Sequence, residues 1–482
     1  MADTYPLQPP SGPSRSSSGT PDSASIRSGR EKKKPAGRLV SLDAFRGFIM
    51  TMLAAEGFGL ADFSKLPPDS AAWNTCNYEF FHALGFHFDH PAWESIFGWM
   101  GVSFWDLIQP AFMFMVGVAM PFSYARREAM GESRAGRMLH AAIRAVILVL
   151  LGVFLYSLNN ARTNWIFPNV LAQIGLGYFF AYLLLGRRLG IQLGAFAAIL
   201  VGYWLFFFLN PPPADHDYAA YSASADEGEI FEGRFAPWSK NANIAFRFDQ
   251  WLLPQLRTPK TDPPAGDNEK TSDDTPTDEV NIAPADKPGL VRQWFFSNPE
   301  PYTYNRGGYT TLNFIPSIGT AVLGILCGQL LLTNGTSGRK LLILIVAGAL
   351  CLGLGILAHH TVCPIVKRIW TPSWVLFSGG YVIWMLAGFF LLFDVLPLKK
   401  LAFPLVVVGM NSLVMYLLGE MLRPWTGRHI VETHCAGFLE SVFGPGILDH
   451  DVFGRVTLPT ATFVVFWLIA FWLYRNRWFV RV

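Results

Sequence analysis

Residues 341–358 read LLILIVAGALCLGLGILA, eighteen positions without a charge, with Arg339 and Lys340 just before them and His359 and His360 just after. A hydrocarbon core needs about 20 apolar residues per helix, so this stretch reads as a membrane span. Working outward, nine more stretches of the same character lie near 42–61, 102–123, 140–158, 167–186, 190–209, 310–333, 373–394, 401–421 and 457–474. The chain is therefore expected to be an all-α polytopic membrane protein of 10 to 11 transmembrane helices. Composition agrees. Only 15% of the 482 residues are charged, against 51% apolar, with 16 Trp and 40 Phe. A soluble chain carries about 25% charged residues, so much of this surface must face something other than water.

Orientation follows from where Lys and Arg collect. Arg27, Arg30, Lys32, Lys33, Lys34 and Arg38 precede the first span, and Arg126, Arg127, Arg134 and Arg137 follow the second. Arg187 with Arg188, Arg339 with Lys340, Lys399 with Lys400, and the C-terminal Arg475, Arg477 and Arg481 complete the set. With ten spans all of them fall on one side, which puts both termini in the cytoplasm. Residues 1–38 lack an apolar h-region and read as a disordered basic cytoplasmic tail, not a signal peptide. The membrane domain is then 39–482. It includes an extracytoplasmic loop at 210–309 whose acidic, Pro-rich middle (258–289) reads as disordered. The loop flanks hold Trp238, Phe246, Trp251 and Trp294 and are expected to pack over the core.

A net charge of +3 with no aromatic-interleaved basic patch argues against nucleic acid. The five cysteines show no CxxC or CxxH spacing, so no zinc site is expected. Ionisable residues inside spans are costly and hence functional candidates. They are Asp43, Arg46, Glu56, Asp106, Arg144 and Glu420. Asp43 and Arg46 are three apart and can pair on one helical face, either as an interfacial anchor or as part of a site. Of ten histidines, nine fall in or beside non-cytoplasmic loops, and His82, His87 and His90 cluster in the first one, EFFHALGFHFDHPAW. A His beside Asp89 is suited to general-base work, since a carboxylate raises its basicity.

Three segments, in order, carry a family resemblance. RLVSLDAFRGFIM (38–50), FWDLIQPAFMFMVGVAMPFS (104–123) and VVGMNSLVMYLLGE (407–420) resemble the opening motif, second helix and G-M-N-S segment of the membrane acyltransferases related to heparan-α-glucosaminide N-acetyltransferase. FPNVLAQIGLGYF (167–179) and the K-x-x-W-[ST] set Lys367, Trp370 and Thr371 are weaker echoes. The resemblance implies transfer of an acetyl group from cytoplasmic acetyl-CoA to a sugar or glycan acceptor across the bilayer. In a chain of this type the setting is a bacterial inner membrane, with homodimerisation left open.

The family's active histidine lies in an H-x-x-W-x-G stretch, which His90 and Trp93 match here. His90 and Asp106 stand further apart than in the family, which is read as six residues inserted after Trp93, with His87 as the alternative. The family's V-L-Q-R appears as Val170-Leu171-Ala172-Gln173, without the Arg, so the acceptor stays open. By this resemblance His90 is base or acyl carrier; Asp106 is then placed to orient it or hold an acceptor hydroxyl, and Asn411, an amide inside an apolar span, is expected to be an oxyanion or substrate-orienting donor or a helix–helix hydrogen bond. Arg46, Asp43, Lys399 and Lys400 would flank the mouth for the CoA polyanion, with no metal. The competing class is a transporter or flippase for a sugar or lipid-linked glycan.

Overall fold

The computed structural model describes residues 39–257 and 294–480. The tail to residue 38 and the acidic loop middle at 258–289 therefore lie outside the described residues. Every extended element among those described is a helix, and Phe97 and Gly101 form an isolated antiparallel bridge.

Among the described residues, seven helices are long and apolar enough to cross a membrane. Among them are α4 (Phe104–Ala129), α5 (Arg134–Ser157) and α7 (Leu189–Phe208). The others are α9 (Phe314–Leu332), α10 (Ser337–Thr361), α11 (Pro372–Phe390) and α15 (Gly454–Arg475). Short helices α2 (Leu60–Ser64), α3 (Tyr78–Phe86) and α8 (Ile244–Leu252) sit in the connections. The first and ninth stretches form bent helix pairs. Helix α1 (Val40–Ala54) turns by 52° into the segment ending at Ser64, and α12 (Phe403–Met410) turns by 80° into the segment that starts with α13 (Ser412–Thr426) and ends with α14 (Ala436–Phe443). Counting each bent pair as one span gives nine. The fourth stretch, expected over 167–186, forms α6 (Val170–Leu184), which at 15 residues is too short to qualify. It starts late because Asn169 caps it, its side chain accepting from Leu171 N at 2.9 Å.

Packing divides these helices into an inner and an outer set. The central windows of α4 and α9 are 72% buried, whereas those of α5, α7, α10 and α15 are only 17–28% buried. The outer helices expose Ile143, Leu150, Leu350 and Leu468, an apolar surface that only a non-aqueous surrounding tolerates. The chain is thus built as an integral membrane protein. Helices α1 and α12 cross backbone to backbone through Gly47 and Gly409: a Cβ on either would overlap the carbonyl of Leu405 or Asp43. Small residues permit such contact, and dispersion then holds the pair together where apolar burial from water is absent. The start of α1 is capped from a distance. Both carboxylate oxygens of Asp394 accept backbone N–H groups there, from Val40 at 3.1 Å and Ser41 at 3.0 Å.

The described flanks of the 210–309 loop pack in part. Trp238 and Phe246 are fully buried, but Trp251 and Trp294 are 61% and 83% exposed.

Candidate active site

At the N-terminal end of α4 the first loop is stitched to the helix. Ser103 caps α4 by accepting from Trp105 N, and its hydroxyl lies 2.7 Å from the Asp89 carbonyl and 3.1 Å from that of His87. Trp105 N donates to the His87 carbonyl at 2.9 Å. These contacts hold residues 87–89 directly over the first turn of α4, and the next side chain is His90. Asp106 sits in that first turn, where the positive end of the helix dipole favours a carboxylate.

The two meet. His90 Nδ1 lies 2.7 Å from Asp106 Oδ1, and Lys367 Nζ donates to the same oxygen at 3.0 Å. Asp106 and Lys367 are each 4% exposed, while the His90 ring is 39% exposed. Ammonium and carboxylate fix the tautomer. A carboxylate only accepts and an ammonium only donates, so Nδ1–H points to Asp106, and in the neutral imidazole Nε2 keeps its lone pair. This places a base with an orienting carboxylate at the surface of the site and the counter-ion beneath. Lys367 Nζ, 3.4 Å from Nδ1, serves the carboxylate and not the ring.

Lys367 comes from the connection between α10 and α11, which is tied tightly. Val366 N donates to Thr371 Oγ1 at 3.0 Å, Thr371 N donates to Val366 O at 3.1 Å, and Trp370 takes a left-handed φ of 50°. Lys367 N donates to Ser95 Oγ, Ser95 N donates to Ile365 O, and Arg368 reaches the Pro91 carbonyl at 3.2 Å. The K-x-x-W-[ST] echo thus has a local meaning: its Thr and Trp close the turn that delivers its Lys. Nothing in the sequence alone pairs that Lys with Asp106, which is 261 positions away.

Trp93 is fully buried and donates to the Trp238 carbonyl at 3.0 Å, so the loop flanks and the first loop share one aromatic core. After it, Phe97 and Gly101 exchange both backbone hydrogen bonds, with Gly98 at φ 59° between them. The residues following Trp93 therefore form a tight hairpin whose tip, Trp99, is 76% exposed. Such a projection lengthens the His90–Asp106 separation in sequence without lengthening it in space. His87 instead packs its ring near Phe97, with centroids 6.1 Å apart. On the rim, Lys65 pairs with Asp89 at 2.6 Å. Burial alone would raise the Asp89 carboxyl, but the Lys65 hydrogen bond, the His90 N–H and the Lys65 charge together outweigh it and hold it below the usual range.

The remaining candidates lie elsewhere. Asp43 and Arg46 pair at 3.8 Å in the first turns of α1. Lys399 and Lys400 are exposed, five and six positions after Asp394, which caps that same helix end. Four of the candidates thus gather at the end of the bundle where α1 begins, and three of them are the cations a polyphosphate needs. Asn411 does not join His90. It forms the α12–α13 break, fully buried, two residues from the Gly409–Asp43 contact, and its Oδ1 accepts from Val480 N at 3.1 Å. The C-terminal segment thus occupies the acceptor half of that amide, while its Nδ2 donor is buried without a partner among the described residues. Glu56 is partnered by Arg423 at 3.1 Å, and Arg144 stacks on the Tyr178 ring at 4.9 Å. Compared with known proteins, the chain matches no protein-family model and no curated protein sequence.

Proposed function

We propose that the chain is a membrane acyltransferase that passes an acetyl group from cytoplasmic acetyl-CoA to a sugar amine or hydroxyl on the extracytoplasmic side. The observation that carries this reading is the His90–Asp106–Lys367 cluster: an imidazole oriented through Nδ1, with Nε2 free, at one end of an apolar bundle. The motif resemblance supplies the donor and acceptor classes. In this reading the bent first and ninth spans and the short α6 each cross the membrane once. That restores the even count of ten that the Lys/Arg distribution asks for, keeps both termini in the cytoplasm, and suits a bacterial inner membrane.

Acetyl-CoA supplies an activated thioester. Its phosphates are met by Arg46, Lys399 and Lys400, and the thioester arm runs toward the His90 end. There the acceptor lone pair attacks the thioester carbonyl while His90 Nε2 takes the acceptor proton. The C–S bond breaks, and the thiolate receives that proton from the imidazolium. In the alternative order Nε2 attacks first and the thiolate leaves; the acceptor then displaces the imidazole, and its proton passes to the thiolate. Either route develops positive charge on the ring, and Asp106 stabilises it. Lys367 balances the Asp106 charge and holds the carboxylate in place.

Purified His90→Ala protein, assayed with labelled acetyl-CoA and a sugar acceptor, is expected to lose about a thousandfold in transfer rate. Unchanged turnover would sink the proposal. A transporter or flippase should also show no thermal stabilisation by acetyl-CoA, whereas an acyltransferase should.

A further inference from the structure

A second polar site lies apart from the His90 cluster. A cavity of about 490 Å³ opens between α2, α13, the π-helical Gly427–Cys435 and the start of α15. Three arginines line it, Arg423, Arg428 and Arg455, against three carboxylates, Glu56, Asp62 and Glu432. Their formal charges cancel. A polyanion such as CoA therefore finds no net attraction there. A ligand of many hydroxyls, each able to donate and accept, matches an alternation of guanidinium donors and carboxylate acceptors.

The cavity is also built. Arg455 is held by the carbonyls of His450 and Asp62, at 3.0 and 2.9 Å, and Arg423 by Glu56. Glu56 is aimed by a left-handed turn, with φ of 51°, 60°, 58° and 68° at Glu56, Gly57, Phe58 and Gly59. Two of these are not glycine, a conformation that persists only where the surroundings impose it. The glycines mark close approaches on both sides. A Cβ on Gly59 would overlap the Arg455 carbonyl, and one on Gly57 would press on Phe88 and Trp105, the neighbours of His90 and Asp106. The strained turn is thus a shared wall between cavity and candidate active site. Arg428 and Glu432 have no side-chain partner among the described residues and remain available to a ligand.

We infer that this cavity seats an uncharged saccharide, with Glu56–Arg423 and Arg428–Glu432 as its hydrogen-bonding clamps. Saccharide binding there does not rest on the acyl-transfer reading. The test is thermal unfolding of the purified full-length protein, titrated separately with methyl glucoside, N-acetylglucosamine, maltose, glucose 6-phosphate and acetyl-CoA. At least one uncharged sugar is expected to raise Tm saturably. In Arg428→Gln and Glu432→Gln, which break no existing pair, its apparent Kd should weaken about tenfold while the ligand-free Tm stays put. Failure of every uncharged sugar, response to glucose 6-phosphate alone, or wild-type binding by both variants would overturn the inference. A sugar response without an acetyl-CoA response would count against acyl transfer and leave the cavity standing.

Discussion

Lys367 and Asp106, 261 positions apart, form an ion pair at 3.0 Å with both side chains 4% exposed, and the shared carboxylate oxygen also carries His90. A pair this deeply desolvated is costly to break on one side, because the surviving charge stays buried.

Lys367→Met is therefore expected to destabilise the protein by about 3–5 kcal/mol. Asp106→Asn should cost a similar amount. The double variant should cost much less than the sum, since no uncompensated charge remains. Thermal unfolding of the four proteins in one detergent decides it, and additive losses would mean that the pair is not coupled. In the same series Asp106→Asn should lower acetyl transfer by about a hundredfold or more, because His90 loses its tautomer partner.

Asp249, in α8, makes a pH prediction. Burial pushes its carboxyl up to about 7, only partly opposed by the Thr311 N–H, which donates to Oδ2 at 2.9 Å. Oδ1 is buried without a partner. A raised folded-state value means the folded protein holds the proton more tightly than the unfolded chain, whose value is near 3.8. Asp249 therefore costs nothing below that lower value, and its penalty grows as pH rises to about 7. Comparing Asp249→Asn with wild type should show little difference at pH 4. By pH 8 the variant should be more stable by up to a few kcal/mol. A Tm difference that does not change with pH would refute the assignment.

Gly409→Ala tests the α1–α12 crossing. The added methyl would overlap the Asp43 carbonyl, which is backbone and cannot swing aside. Overpacking of this kind costs about 1–3 kcal/mol or more. Reduced yield of monodisperse protein on size exclusion is expected, while Gly437→Ala, where a Cβ meets nothing within 4 Å, should be neutral.

Hydropathy and charge alone were enough for the class of the molecule. Both depend on what each residue prefers to touch, which is a property of the residue and not of its partners, so 341–358 declares itself without a fold. Local rules flagged the first-loop histidines and Asp106, because a loop histidine and an acidic residue at the start of an apolar helix are anomalies wherever they occur; the motif resemblance then singled out His90. What the sequence could not supply were partners brought from far along the chain: Lys367 under Asp106, Arg423 against Glu56, and Asp394 over the start of α1. Hydropathy also cannot see the bends at Glu56–Gly59 and Asn411, since an apolar run reads alike whether the helix is straight or broken. Only tertiary packing decides those. A left-handed turn or a buried ion pair costs energy locally, and it persists because contacts hundreds of residues away make every alternative worse.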